Sequence, residues 1–212
     1  VFDDTTWTIE NNVGNLYEDE GPVIEYAGKA YLITESRQGI YVRDDATRTW
    51  ALSKSYDFQS TGEYGGFGAA IFNNKLYTAI SQAMPDAFAP SDLYVYSFNG
   101  ASWVKEKTFA GGGEILRAWA LGSDGANLYI GGGRRARGSS FLGLQRCNAA
   151  MQCVKEADFS AQSFVHAFGT MFAGGNDGNI YKRGANGAWT SDKSTGARFV
   201  ISLHKASING QE

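Results

Sequence analysis

The residues of this chain with the most chemistry to offer are aromatic rings set near charged side chains. Trp119 stands two residues after Arg117, and an indole ring can take the C–H face of a pyranose while polar neighbours read its hydroxyls. Glu63 and Glu114 are candidates for the acid and second carboxylate that cleavage of a glycosidic bond requires. Both adjoin glycine runs, Gly65-Gly66 and Gly111-Gly112-Gly113, with no apolar stretch that would raise one carboxyl's pKa, so they read more naturally as ligand contacts than as catalysts. Arg134, Arg135 and Arg137 form a basic cluster suited to bidentate clamping of carboxylate, sulfate or phosphate. Phe88 offers an aromatic in the Gln82 to Asp92 segment, beside Met84, Pro85 and Pro90.

Other chemistries lack their residues. His166 and His204 have no Asp or Glu at ligand spacing, so no metal is expected, and no nucleophile motif, phosphate loop or dinucleotide fingerprint calls for a cofactor. A formal charge of −3 argues against nucleic acid as partner, because that affinity comes from neutralising many phosphates. Apolar runs are interrupted every few residues by Gly, Asn or Asp, well short of the roughly 20 residues of a membrane span. Cys147 and Cys153 flank a five-residue segment between two strand-like runs, where facing hairpin positions could form a disulfide, and an oxidised pair implies a secreted, extracellular protein. The sequence starts at Val1 without an initiator Met or a signal-type segment, as a processed or trimmed chain would.

A repeat organises the elements that must position these groups. With 27 glycines, 3 prolines and 14 % aromatic residues, the composition suits many short strands and tight turns. Ala27 to Thr34 is answered by Phe72 to Ala79, Asp124 to Gly131 and Ala167 to Gly174. Each is followed by a hairpin that ends at Trp50, Trp103, Cys153 or Trp189, and with Trp7 these closing residues recur every 36 to 53 positions. Such a period fits one four-stranded propeller blade per repeat. The four recurring tryptophans suit packing between blades, whereas Trp119 falls outside the pattern. Residues 1–16 read as the second half of a repeat and 198–212 as the first half.

The expected fold is therefore an all-β propeller of about five four-stranded blades in one domain, residues 1–212. Blades fall at 17–62, 63–113, 114–161, 162–197 and 198–212 joined to 1–16, with the ring closed by pairing of N- and C-terminal strands. In that register Glu20, Glu63, Glu114, Gln162 and Arg198 precede the inner strands and could ring one mouth of the channel.

The phrases Tyr96-Ser97-Phe98-Asn99-Gly100-Ala101-Ser102-Trp103 and Tyr181 to Trp189 resemble repeats of secreted propellers, including Asp-box and kelch-like proteins and fungal and invertebrate lectins, with Asn99 and Asn186 where an Asp box has Asp. This resemblance implies a lectin-like propeller that binds glycans or a glycosylated surface at several shallow sites, gaining by multivalency. A protein partner engaging the Gln82 to Asp92 and Arg134 to Gly138 loops is the alternative. A glycan hydrolase working at the channel mouth through Glu63 and Glu114 is the third reading.

Overall fold

Two-residue turns set the register of the hairpins. In a right-handed twisted ribbon such a turn needs positive φ at both central residues. Ala27 and Gly28 (φ 51° and 72°), Asn73 and Asn74 (47° and 56°), and Phe168 and Gly169 (51° and 71°) supply it. These pairs fold Tyr26 onto Lys29, Phe72 onto Lys75 and Ala167 onto Thr170. The turns also shift the first repeat by one residue, aligning Tyr31 rather than Leu32 with Tyr77.

The computed structural model describes residues 20–34, 39–56, 63–82, 91–111, 116–133 and 142–204. Its first sheet is β1 (Glu20–Tyr26), β2 (Lys29–Thr34), β3 (Gly39–Asp44) and β4 (Thr49–Ser55). The second is β5 (Glu63–Gly65), β6 (Ala69–Phe72), β7 (Lys75–Gln82), β8 (Leu93–Phe98) and β9 (Trp103–Phe109). The third is β10 (Arg117–Ser123), β11 (Leu128–Gly133), β12 (Gly143–Cys147) and β13 (Cys153–Ala157), and the fourth β14 (Ala161–Ala167), β15 (Thr170–Gly175), β16 (Asn179–Arg183) and β17 (Trp189–Ser194). Every sheet is an antiparallel meander, and β5 and β6 share the place of one inner strand beside β7.

The sheets pack face to face in chain order, because alternate residues of one strand serve different cores. Along β8, Leu93 and Val95 join Leu116, Ala118 and Ile130 of the third sheet's core, while Tyr94, Tyr96 and Phe98 join Tyr31, Ile33 and Ile40 of the first. A further cluster, Tyr129, Leu144, Ala161, Met171 and Ala173, seals the third sheet to the fourth. Each fully buried Leu or Ile contributes about 1.5–3 kcal/mol. The inner strands β1, β6, β10 and β14 stand side by side, as around a propeller axis.

Outer strands are locked by closing pairs. Phe98 faces Trp103 with the rings stacked at 4.9 Å. In the third sheet the same place is taken by Cys147 and Cys153, whose Cα atoms lie 4.0 Å apart across a disulfide. Bonds of this kind persist in oxidising surroundings. No helix among the described residues is long and apolar enough to cross a membrane.

The count of five blades is corrected here: the described residues form four sheets. Arg198–His204, expected to open a fifth blade as a strand, carries no strand. Val200 donates its N–H to Gly175 O at 3.0 Å and accepts from Ser163 Oγ at 2.9 Å, holding this segment by single bonds rather than by a ladder. The expected terminal pairing involves residues 1–16 and 205–212, outside the described residues.

Candidate ligand-binding site

Each sheet carries an extra residue at nearly the same level of its inner strand, and β5 carries a second one, Tyr64, between Glu63↔Gln82 and Gly65↔Ser81. In β10 the ladder passes from Ala118↔Gly132 to Ala120↔Gly131, leaving Trp119 unmatched. In the second sheet it passes from Gly65↔Ser81 to Ala69↔Thr78, so Gly66, Phe67 and Gly68 span two partner residues. In β14 the extra residue is Gln162, between Ala161↔Gly175 and Ser163↔Gly174. In β1, Gly21 and Pro22 stand opposite Ile33. A bulge turns its extra side chain out of the alternation, and on two neighbouring sheets that side chain is aromatic.

Phe67 and Trp119 meet with ring centroids 5.0 Å apart, tilted by 50°. The Arg117 guanidinium lies 5.9 Å from the Phe67 centroid and 6.0 Å from that of Trp119. All three are half-buried, and together they form an aromatic platform with a cation on its edge. Close backbone approach keeps it in place. A Cβ on Gly68 would stand 2.5 Å from Leu121 N, and one on Gly133 would stand 2.7 Å from Ser160 Oγ, so neither position tolerates a side chain without movement.

Of the anticipated site residues, Glu63, Arg117 and Trp119 lie in described strands. Arg117 pairs with Gly133, the residue before the segment that holds Arg134, Arg135 and Arg137. Glu63 pairs through its backbone with Gln82, which precedes the segment holding Phe88. Leu116, two residues after Glu114, donates its N–H to Ser91 O at 3.2 Å. Glu114, Phe88, Arg134, Arg135 and Arg137 themselves lie outside the described residues, so the geometry brings together Arg117 and Trp119 and adds Phe67.

The expected ring of equivalent polar residues is not level. Counting from the turns, Glu20 pairs with the sixth residue, Thr34, whereas Glu63 pairs with the eighth, Gln82. Gln162 sits in a bulge and donates to Ser160 Oγ at 3.2 Å, and Arg198 is outside any strand. Among the described residues no group of three His, Cys, Asp or Glu side chains could hold a metal ion.

Recurring tryptophans occupy different surroundings. Trp103 donates its indole N–H to Ser53 Oγ of the preceding sheet at 3.2 Å, and Trp189 donates to Glu156 Oε2 of its preceding sheet at 3.0 Å. Glu156 also accepts from Arg183 Nε at 2.9 Å, from the Arg183 terminal nitrogen at 2.8 Å and from Arg146 Nε. Burial would raise the pKa of Glu156, but the bonds from Arg183, Trp189 and Arg146 outweigh it and hold the carboxyl below its ordinary value. Asp124 behaves similarly: burial opposes ionisation, and donors from Tyr129 (OH to Oδ2, 2.7 Å), Asn127 and Ala126 overcome it. Both groups already have structural partners: Glu156 joins the third sheet to the fourth, and Asp124 closes the β10–β11 hairpin.

No family model and no curated protein matches this sequence. Among solved structures, an ancestral GH74 enzyme is similar in fold, with a TM-score of 0.53 over 81 % of this chain at 15 % identity. The chain corresponds to 26 % of that enzyme's length. This likeness and the stacked four-stranded sheets identify a propeller-like all-β fold.

Proposed function

We propose that this chain is a secreted carbohydrate-binding propeller module, and that Trp119, Phe67 and Arg117 form its principal sugar platform. The observation that carries this reading is the pair of half-buried rings presented by bulges on two adjacent inner strands, outside the repeat that packs the blades. An aromatic surface of that kind can receive the C–H face of a pyranose, and the guanidinium beside it can donate to ring or hydroxyl oxygens. Glu63, Glu114, Phe88 and Arg134, Arg135 and Arg137 belong to segments that start or end near the platform and would supply further polar and aromatic contacts. Similarity to a GH74 enzyme supports a glycan as ligand, and the disulfide supports an extracellular setting.

Contacts of this type do not repeat evenly. At the level of the platform the bulge residues are Pro22, Phe67, Trp119 and Gln162, so aromatic character there is concentrated on the second and third sheets, which favours one principal site among the several expected. A glycan array at near-neutral pH, run with and without calcium, tests the proposal. The expected result is binding to a defined sugar class, weakened about tenfold by Trp119→Ala, the equivalent of roughly 1.4 kcal/mol. Silence across the array, with capture of a defined protein through the loops, would replace it with the interaction-module reading.

A further inference from the structure

Strand β11 ends on three glycines, Gly131-Gly132-Gly133, and the fourth sheet lies close against the first and last of them. A Cβ on Gly131 would stand 2.4 Å from Ala161 O, and one on Gly133 would stand 2.7 Å from Ser160 Oγ. Glycine weakens a strand and is kept where another backbone must come near. Here the approach brings up Ser160 and the bulge of β14, whose extra residue is Gln162. The place that a Cβ on Gly133 would take also lies 3.5 Å from Trp119 Nε1. With no side chain at Gly133, the indole edge and the Ser160 hydroxyl border one notch at the side of the platform.

Hydrogen bonding around this notch is incomplete. Trp103 and Trp189 give their indole N–H to side chains of the preceding sheet, whereas that of Trp119 has no acceptor among the described residues. Ser160 is 3 % exposed, and its carbonyl accepts from Asn176 N–H at 3.0 Å, which fixes it. Its Oγ takes one hydrogen of the half-buried Gln162 amide at 3.2 Å. The second amide hydrogen and the amide oxygen of Gln162 have no partner among the described residues. A donor and an acceptor on one planar group match adjacent sugar hydroxyls, each of which donates and accepts. Trp119, Ser160 and Gln162 carry no charge, so hydroxyls rather than a carboxylate suit them.

We propose that the platform continues from the third sheet onto the fourth and takes two or more linked neutral pyranose units. One ring stacks on Phe67 and Trp119, and hydroxyls of the next meet the Trp119 N–H and the Gln162 amide. The inference rests on the carbohydrate reading and deepens it, since the ligand becomes a stretch of a sugar chain rather than a single terminal sugar.

NMR titration of the folded chain with oligomers of glucose, mannose, galactose and N-acetylglucosamine, from one unit to four, tests it. Affinity for the class that binds should rise roughly tenfold from one unit to two. Gln162→Leu should remove most of that rise while leaving the single-unit affinity and Tm unchanged, and Trp119→Ala should weaken binding at every length. A Gln162→Leu variant that keeps the full rise, or a wild type that binds one unit as well as two, would overturn the extension and leave the platform standing. Equal weakening at every length with a lowered Tm would make Gln162 a structural residue and overturn it too. Absence of binding to any oligomer, together with a silent glycan array, would remove the carbohydrate reading itself.

Discussion

The two kinds of tryptophan in this chain differ in what surrounds them. Trp103 and Trp189 stand at the recurring position on outer strands, each sending its indole N–H to a side chain of the preceding sheet. Trp119 stands in a bulge on an inner strand, against Phe67 and Arg117. Repetition thus marks the residues that hold neighbouring sheets together, and departure from repetition marks the residues proposed as the sugar platform.

The largest effect should come from the frame. Trp189→Ala would remove a ring that contacts Tyr129, Phe159 and Phe164 and would leave Glu156 one donor short. A loss of about 3–5 kcal/mol is expected by denaturant unfolding, with little array binding left to measure once the fold is compromised. A loss below about 1 kcal/mol would break the distinction between the two tryptophans.

Glu156→Gln should cost about 3 kcal/mol, since two guanidinium groups would lose their counter-charge in a largely buried place. It should also change the response to acid. Because the folded carboxyl titrates below its unfolded value of roughly 4.3, its contribution is complete above that pH and is lost as pH falls through the folded pKa. Thermal melts from neutral pH downward should therefore show a steeper acid decline in the wild type than in Glu156→Gln, and parallel curves would argue that Glu156 is not ionised in the folded clasp.

A smaller effect is expected at the position where the third sheet exchanges an aromatic pair for sulfur. Replacing Cys147 and Cys153 together by Ser should lower stability by about 2 kcal/mol, as the loop they close is short. Reduction with dithiothreitol should reproduce the shift in Tm, and a reduced protein with unchanged Tm would show that the hairpin needs no covalent closure.

Much of this frame was legible in the residues. Alternation along Leu93 to Phe98 indicated two buried faces, Asn99 stood where an Asp box has Asp and caps its turn through side-chain bonds to backbone N–H groups, as Asn148 also does, and the cysteines fell at facing positions. Bulges were not legible, because an extra residue leaves composition and alternation almost unchanged. That is why Glu20, Glu63 and Gln162 were expected at one level. Phe67 could have been found from its setting, Gly65-Gly66-Phe67-Gly68, where an aromatic between glycines occupies the blade position of Trp119. Arg198–His204 resembles an inner strand in its apolar alternation, with Val200 buried between exposed Phe199 and Ile201, but a strand requires a partner ladder that no local pattern guarantees. The Glu156 clasp joins residues from four strands of two sheets, and no spacing in the sequence announces it.

The most direct measurement compares glycan binding and Tm for the wild type and Trp119→Ala. The account predicts that Trp119→Ala keeps its Tm within about 4 °C of the wild type and loses roughly tenfold in affinity for the sugar class the wild type binds. A variant that binds the same glycans with undiminished affinity would contradict the assignment of the inner-strand platform as the sugar site.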